Sequence, residues 1–271
     1  MNLKLKVNEI RRAVVEMIYR AQFGHVGGAL SATEIVVDLY YKQMNVAPEK
    51  VSDPDRDRFI LSKGHAVEVL YAVLADRGFI PREDLLTYSQ YGSPYMCHPT
   101  NKINGIEMNT GSLGHGLGVG VGMALASKLD EKNFRVYVVL GDGELAEGSV
   151  WEAVTAGGHY KLDNLTAIVD RNRLQMSGST EDVMSLDSQE TRWAAFGWNV
   201  ISIDGNDLDA VDAAVTLAKK TFGKPTVIIA NTVKGKGISF MENRAEWHHK
   251  VPNAEQYARA IMELEAEEAT L

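Results

Sequence analysis

Asp142 stands between two glycines, Gly141 and Gly143, directly after the apolar run 136–140, and Asn172 follows thirty residues later, just past a second such run. A carboxylate in that position is badly suited to meet a bare phosphate and well suited to hold a hard cation that bridges to one. Mg²⁺ prefers oxygen ligands at roughly 2.0–2.1 Å, commonly one or two from protein and the rest from phosphate and water. Asp142 as carboxylate, Asn172 as neutral amide oxygen and a backbone carbonyl in the following turn, that of Leu174, would leave enough positive charge to attract a diphosphate. A helix starting near Gly148 would aim its N–H groups at the same anion. Taken singly, Asp142 reads equally well as a turn residue and Asn172 as a cap; their joint placement favours the metal. The stretch Gly141–Ala146 also fits the dinucleotide fingerprint G-x-G-x-x-G/A, with Asp170 as the ribose-binding acid. That fingerprint brings pyrophosphate against the first turn of the helix, where Asp142 would add a like charge, so it is the weaker reading.

The elements that must position these residues alternate from residue 135 onward. Strand-like runs at 136–140, 165–169, 198–203 and 225–230 are separated by helical stretches near 147–160, 187–196 and 207–220. This rhythm predicts an α/β fold, a doubly wound, mainly parallel sheet with helices on both faces. Ligands of such sheets bind beyond the carboxyl ends of the strands, where Asp142, Asn172, Asp204 and Asn231 fall. The first hundred residues read mostly as helices. Ile10, Val14, Ile18 and Ala21 keep helical spacing up to Gly24, and a further helix runs from Ala66 through Leu74 towards Gly78. Ser31 with Glu34 reads as a capping box ahead of Ile35. Residues 87–112 lack periodicity and read as a long loop of the functional kind. A last helix spans about 253–268.

Glycine costs about 1 kcal/mol per helical position, so the run Gly114–Gly122 needs a reason. Close helix packing or a ligand suits Gly118–Gly122, and a ligand loop suits Thr110–Gly114. No repeat or linker divides the 271 residues, which read as a single domain, 1–271.

A net charge of -8 and a pI near 5.4 argue against nucleic acid and anionic membrane as main partners. A phosphate ligand must therefore be drawn by local dipoles, a metal or histidines. Cys97 is the single cysteine, which precludes an intrachain disulfide and suits a reducing compartment. The N-terminus has no apolar leader core and no run approaches a membrane span, so a cytoplasmic protein is expected.

Seven stretches, in order, carry a family likeness: Gly24–Ser31, Ser62-Lys-Gly-His65-Ala66, Cys97-His98-Pro99, Thr110–Gly114, Gly141–Gly148, Asp170-Arg-Asn172, and Lys234–Asn243 followed by Trp247-His248. Gly141-Asp-Gly with Asn172 resembles the thiamine-diphosphate motif, and the chain as a whole resembles the N-terminal, diphosphate-binding part of transketolases. The resemblance implies that Asp142, Asn172 and the Leu174 carbonyl hold Mg²⁺, with Ca²⁺ or Mn²⁺ as substitutes. Gly143, Asn172, His65 and His248 would contact the diphosphate of thiamine diphosphate. Gly111 and Leu113 would border its aminopyrimidine, with Ser112 and Glu144 also among the cofactor-binding residues. His25, His98 and His248 would surround the sugar, His25 and His248 assisting proton movements. Glu147 would link two halves of the active site across an interface. Histidine suits these tasks through its ordinary pKa of about 6.5. His159 and His249 read as surface or capping residues, and Cys97 as a small loop hydrophobe. Two positions depart from the family, His115 where glutamine is typical and His249 where glycine is common.

The likeness also implies what is missing. Full-length transketolases continue into pyrimidine-binding and C-terminal domains that carry the cofactor-activating glutamate and most of the sugar-phosphate clamp. The expectation is one chain of a split transketolase, moving a two-carbon ketol unit from a ketose phosphate to an aldose phosphate with a separate C-terminal subunit, two of each. A decarboxylating synthase of the deoxyxylulose-phosphate type shares the metal motif, although Trp247-His248 leans towards transketolase. A dinucleotide-binding oxidoreductase and a non-catalytic thiamine-binding protein are the further alternatives. The sugar, whether the ordinary pentose-phosphate donor or a catabolic one such as apulose 4-phosphate, would be chosen mostly by the partner.

Overall fold

A computed structural model describes residues 1–271. Five strands, β1 (Arg58–Leu61), β2 (Val136–Gly141), β3 (Leu165–Arg171), β6 (Asn199–Asp204) and β7 (Thr226–Asn231), form one parallel sheet in the order β1-β2-β3-β7-β6. A two-stranded hairpin, β4 (Leu174–Gln175) and β5 (Gly178–Ser179), follows β3. The helices are α1 (Leu3–Ala21), α2 (Val26–Ser31), α3 (Thr33–Asp38), α4 (Val67–Asp76), α5 (Gly116–Leu129), α6 (Gly148–His159), α7 (Thr180–Met184), α8 (Gln189–Ala195), α9 (Leu208–Lys219) and α10 (Ala254–Glu268).

Successive residues of a strand point to opposite faces, and the central strands are apolar on both. Tyr137 and Val139 of β2 enter the larger core, built with α1 to α4, α9 and α10; Val136, Val138 and Leu140 enter the other, against α5, α6 and Trp193 of α8. The step from β2 to β3 through α6 and the step from β6 to β7 through α9 run in opposite directions along the sheet. Right-handed crossovers therefore place α6 and α9 on opposite faces. After β1 and β7 the chain turns into the larger core, and after β2 and β3 into the smaller one. A crevice opens between these diverging connections, at the carboxyl ends of the strands.

The doubly wound sheet agrees with the sequence pattern, and each predicted strand and helix from residue 135 onward is present. Two local expectations fail, and one strand was missed. The capping box at Ser31 and Glu34 does not form: Ser31 closes α2 and donates its hydroxyl to Asp170 at 2.6 Å, while Glu34 pairs with Arg11 at 2.6 Å. Buried tertiary partners claim both side chains. α1 ends at Ala21, with Gln22 in the left-handed region, rather than at Gly24. β1 was hidden in the sequence. In the glycine run, a side chain at Gly120 would lie 2.6 Å from Val138 Cγ2, so close packing holds there; Gly118 and Gly122 face open space. No helix is long and apolar enough to cross a membrane.

Candidate active site

The pairing of Gly141 with Asp170 across β2 and β3 brings Asp142 and Asn172, the residues that follow, to adjacent strand ends. Asp142 is 4% exposed. Its Oδ1 accepts the Gly143 N–H at 2.8 Å and its Oδ2 accepts the Arg173 N–H. Asn172 Oδ1 accepts the Leu174 N–H at 3.1 Å, and the Leu174 carbonyl accepts from Lys234 Nζ at 3.1 Å. Burial, and then the nearby Asp170 carboxylate, push the Asp142 carboxyl up to about 6. Lys234 and the two backbone N–H groups offset that shift only in part. The donors here are a carboxylate, an amide oxygen and a carbonyl, a hard set suited to Mg²⁺. No cluster of three or more His, Cys, Asp or Glu competes with it elsewhere. The residues fit the cation that the sequence led us to expect.

Above this corner lies a cavity of 440 Å³ whose wall includes Asp142, Gly143, Asn172 and Leu174 together with His25, His65 and His248. His65 and His248 stack with centroids 5.1 Å apart, and His25 stands perpendicular to His248 at 5.9 Å. Burial, reinforced by Lys234 and neighbouring imidazoles, lowers His25 to about 4 and His248 to about 3. Burial and then Lys63 lower His65 to about 2. These rings are therefore neutral at physiological pH before any anion enters. A neutral ring offers one donor and one acceptor, the form needed to exchange hydrogen bonds with sugar hydroxyls.

Two lysines supply the charge that sequence reasoning did not assign. Lys63 and Lys234 are each 2% exposed and both line the cavity. Lys63 donates to the Gly28 carbonyl at 2.8 Å and pairs with Asp170. Lys234 also contacts His248 Nδ1 at 3.0 Å, and burial followed by Lys63 lowers it to about 8. Their positions inside glycine-rich stretches were the available signal, since a lysine in a solvated turn needs no such surroundings. Asp170, engaged by Lys63, Ser31 and Thr232 and fully buried, is closed to a ribose. That removes the acid required by the dinucleotide reading.

Other predicted residues divide. Gly111, Leu113 and Glu147 line the cavity, while Ser112 does not; its hydroxyl lies 3.4 Å from His115 on the exposed side. His98 sits behind Gly111, whose φ of +133° and lack of a side chain admit the ring: a Cβ there would lie 2.5 Å from His98 Cδ2. Glu144 borders the cavity, but its carboxylate accepts the Gly114 N–H at 2.8 Å, the Gly141 N–H at 3.1 Å and the Ser62 hydroxyl. It ties the loop down instead of facing a ligand. Gly148 is absent from the wall, because a 3₁₀ turn over Gly143–Ala146 separates Asp142 from α6. The N–H groups that reach this corner are those of Gly143 in that turn and of Arg173 and Leu174 after β3, not those of the helix. His249, expected at the surface or as a cap, is exposed yet packs its ring 4.6 Å from His25. Asp204 and Asn231 border a second, more open pocket that shares Asn172 and Leu174 with the first. Cys97 is half-buried, 3.3 Å from His98 Nδ1, and burial raises its thiol.

A family model described as the transketolase, thiamine diphosphate binding domain matches residues 3–266. The chain belongs to the transketolase family. It is 50% identical over 262 residues to an apulose-4-phosphate transketolase subunit of Phocaeicola vulgatus, covering 97% of this chain and 93% of that one. It is 42% identical over 269 residues to the 6-deoxy-6-sulfo-D-fructose transketolase subunit SqwG of Clostridium sp. (strain MSTE9), covering 99% and 98%. A crystal structure of a transketolase variant from Pichia stipitis superposes with a TM-score of 0.90 at 32% identity, covering 99% of this chain and 41% of that one. This transketolase chain thus matches subunits of its own length end to end and spans about two fifths of the long transketolase. The domain matched is the thiamine-diphosphate-binding one of that family.

Proposed function

We propose that this chain is the cofactor-anchoring subunit of a two-chain transketolase that transfers a two-carbon ketol unit from a ketose phosphate to an aldose phosphate. The observation that carries the proposal is the convergence of Asp142, Asn172 and the Leu174 carbonyl beneath a cavity walled by three neutral histidines and two buried lysines. Asp142, Asn172 and the Leu174 carbonyl would hold a divalent cation, Mg²⁺ on the chemistry of the donors, with Lys234 leaving the carbonyl as the cation arrives. Lys63, Lys234, His65 and the Gly143 N–H would hold the diphosphate, and Gly111 and Leu113 would border the pyrimidine ring. Thiamine diphosphate, when bound, supplies a carbon that stabilises the carbanion of the transferred unit. His25, His98 and His248 would bind the sugar hydroxyls, and His25 and His248 would move protons on them.

The activating carboxylate and the phosphate clamp would come from a second polypeptide resembling the C-terminal transketolase part, two copies of each chain completing two sites. Relatives of this length that are themselves named as transketolase subunits support that division. Identity of 50% and 44% to two apulose-4-phosphate transketolase subunits supports a catabolic ketose phosphate, apulose 4-phosphate first, as the donor. Likeness to transketolase subunits also weighs against a decarboxylating synthase. Reconstitution with the partner tests the proposal. Ketol transfer from apulose 4-phosphate, measured by release of the shortened product, should require both chains, thiamine diphosphate and Mg²⁺. Turnover by this chain alone, or CO₂ release from pyruvate in place of transfer, contradicts it.

A further inference from the structure

Helix α4 begins directly after the stretch that carries His65, and two of its residues, Glu68 and Tyr71, are three apart and share a face. Both are fully buried, and neither lines the cavity. Glu68 Oε1 accepts the backbone N–H of His25 at 2.9 Å and the hydroxyl of Tyr88 at 2.7 Å, while Oε2 has no partner. A side chain at Gly24 would meet that same Oε1 at 2.7 Å, so the carboxyl lies directly against the His25 loop. One turn on, the Tyr71 hydroxyl donates to the carbonyls of Met96 at 3.0 Å and His98 at 3.3 Å. The Tyr71 ring stands edge-on to Tyr95 at 5.5 Å and to Tyr88 at 6.2 Å. One helical face therefore grips two loops that are far apart in the chain, each bearing a histidine. The two imidazoles end with centroids 6.3 Å apart.

A buried carboxyl with one oxygen unpaired is costly, and an apolar side chain of similar volume would fill the space without that cost. What an apolar residue cannot do is take the His25 N–H, a donor that would otherwise be buried and unpaired. We propose that Glu68 and Tyr71 are positioning residues that fix the gap between His25 and His98, and through it the grip on the carbon chain of a polyhydroxylated ketose phosphate. The inference rests on the reading above that these two histidines face the sugar. Neither residue touches substrate or cofactor; they act through the loops they hold.

The test uses the reconstituted two-chain complex with thiamine diphosphate, Mg²⁺ and the donor ketose phosphate. Tyr71→Phe removes only the hydroxyl, and Glu68→Leu removes the acceptor; each should raise the donor KM by about tenfold, the worth of a lost hydrogen bond at a buried position. The Kd for thiamine diphosphate, read by the near-ultraviolet circular dichroism of the bound cofactor, should not change; kcat should hold in Tyr71→Phe, which frees only the His98 loop, and fall in Glu68→Leu, which frees the loop of the proton-moving His25. Glu68→Gln keeps an oxygen for the His25 N–H and should restore the wild-type KM. A parallel fall in cofactor affinity and kcat, or a wild-type KM in Tyr71→Phe, overturns the proposal, and Tyr71→Phe decides alone if Glu68→Leu does not fold. His25→Ala and His98→Ala separate the role of α4 from the placement of the sugar. If both leave the donor KM unchanged, the placement of the sugar is wrong and the inference falls with it. If both raise KM while the α4 variants do not, only the role of α4 is wrong.

Discussion

Replacing Asp170 with asparagine removes one charge from beneath the site while keeping the shape of the side chain. Asp170 is fully buried, and its oxygens take the Lys63 ammonium, the hydroxyls of Ser31 and Thr232 and, at 3.5 Å, the Asn172 amide. Burial alone would raise its carboxyl, but Lys63, with the two hydroxyls, holds it below the usual range. In the variant, Lys63 keeps only the Gly28 carbonyl at 2.8 Å as a strong partner. Removing one member of a buried ion pair costs ~3–5 kcal/mol. Each kcal/mol lowers Tm by roughly 2–4 °C in a domain near this size, so Tm should fall by roughly 6–20 °C. Lys63→Met added to Asp170→Asn should recover part of the loss, because the unpaired charge is gone. Since the folded carboxyl lies below its unfolded value of about 4, this stabilisation is present above that pH and is lost as pH falls through the folded value. Scanning calorimetry of the wild-type chain and the two variants is the assay. A fall of less than about 2 °C for Asp170→Asn, under 1 kcal/mol on that scale, would refute the claim that a coupled, desolvated pair underpins the site.

Asp142→Ala should weaken Mg²⁺-dependent binding of thiamine diphosphate by more than about a hundredfold by calorimetric titration, as expected when a metal loses its one charged ligand; unchanged affinity would place the metal elsewhere. The lowered values of His25, His65 and His248 mean that the unfolded chain takes up protons that the folded one refuses. Stability is therefore full above their ordinary pKa of about 6.5 and declines as pH drops below it. Proton NMR of His25 and His248 in the cofactor-free chain should accordingly show no inflection between about pH 5.5 and 8. Gly111→Ala must combine a left-handed backbone with a Cβ 2.5 Å from His98 Cδ2. It should displace His98 and raise the donor KM of the reconstituted complex, whereas a wild-type KM would show that the loop yields freely.

The sheet was legible because β2, β3 and β7 are apolar on both faces and stand out as continuous runs between helical stretches. β1 was not, since its four residues start with an arginine and follow the charged stretch 53–57. Local rules misled where long-range partners took over the side chains. Ser31 and Glu34 have the spacing of a cap, but Asp170 and Arg11 hold them in place, and neither contact has any trace in the neighbouring sequence. The convergence of Asp142 and Asn172 was readable because both sit at the ends of recognisable strands. Lys63 and Lys234 lie within the motifs without a legible role, because a lysine's burial depends on what the fold closes over it. The neutral state of the histidines is likewise a property of the assembled cavity. Their separate positions, 25, 65, 98 and 248, say nothing of mutual proximity.

Crystals of the two-chain complex grown with thiamine diphosphate and Mn²⁺, with anomalous data collected at the manganese edge, address the central claim most directly. The expected result is one strong peak per site, bounded by an Asp142 carboxylate oxygen, the Asn172 amide oxygen and the Leu174 carbonyl, with the diphosphate on its far side. An ordered cofactor whose manganese lies away from the ends of β2 and β3 would contradict it.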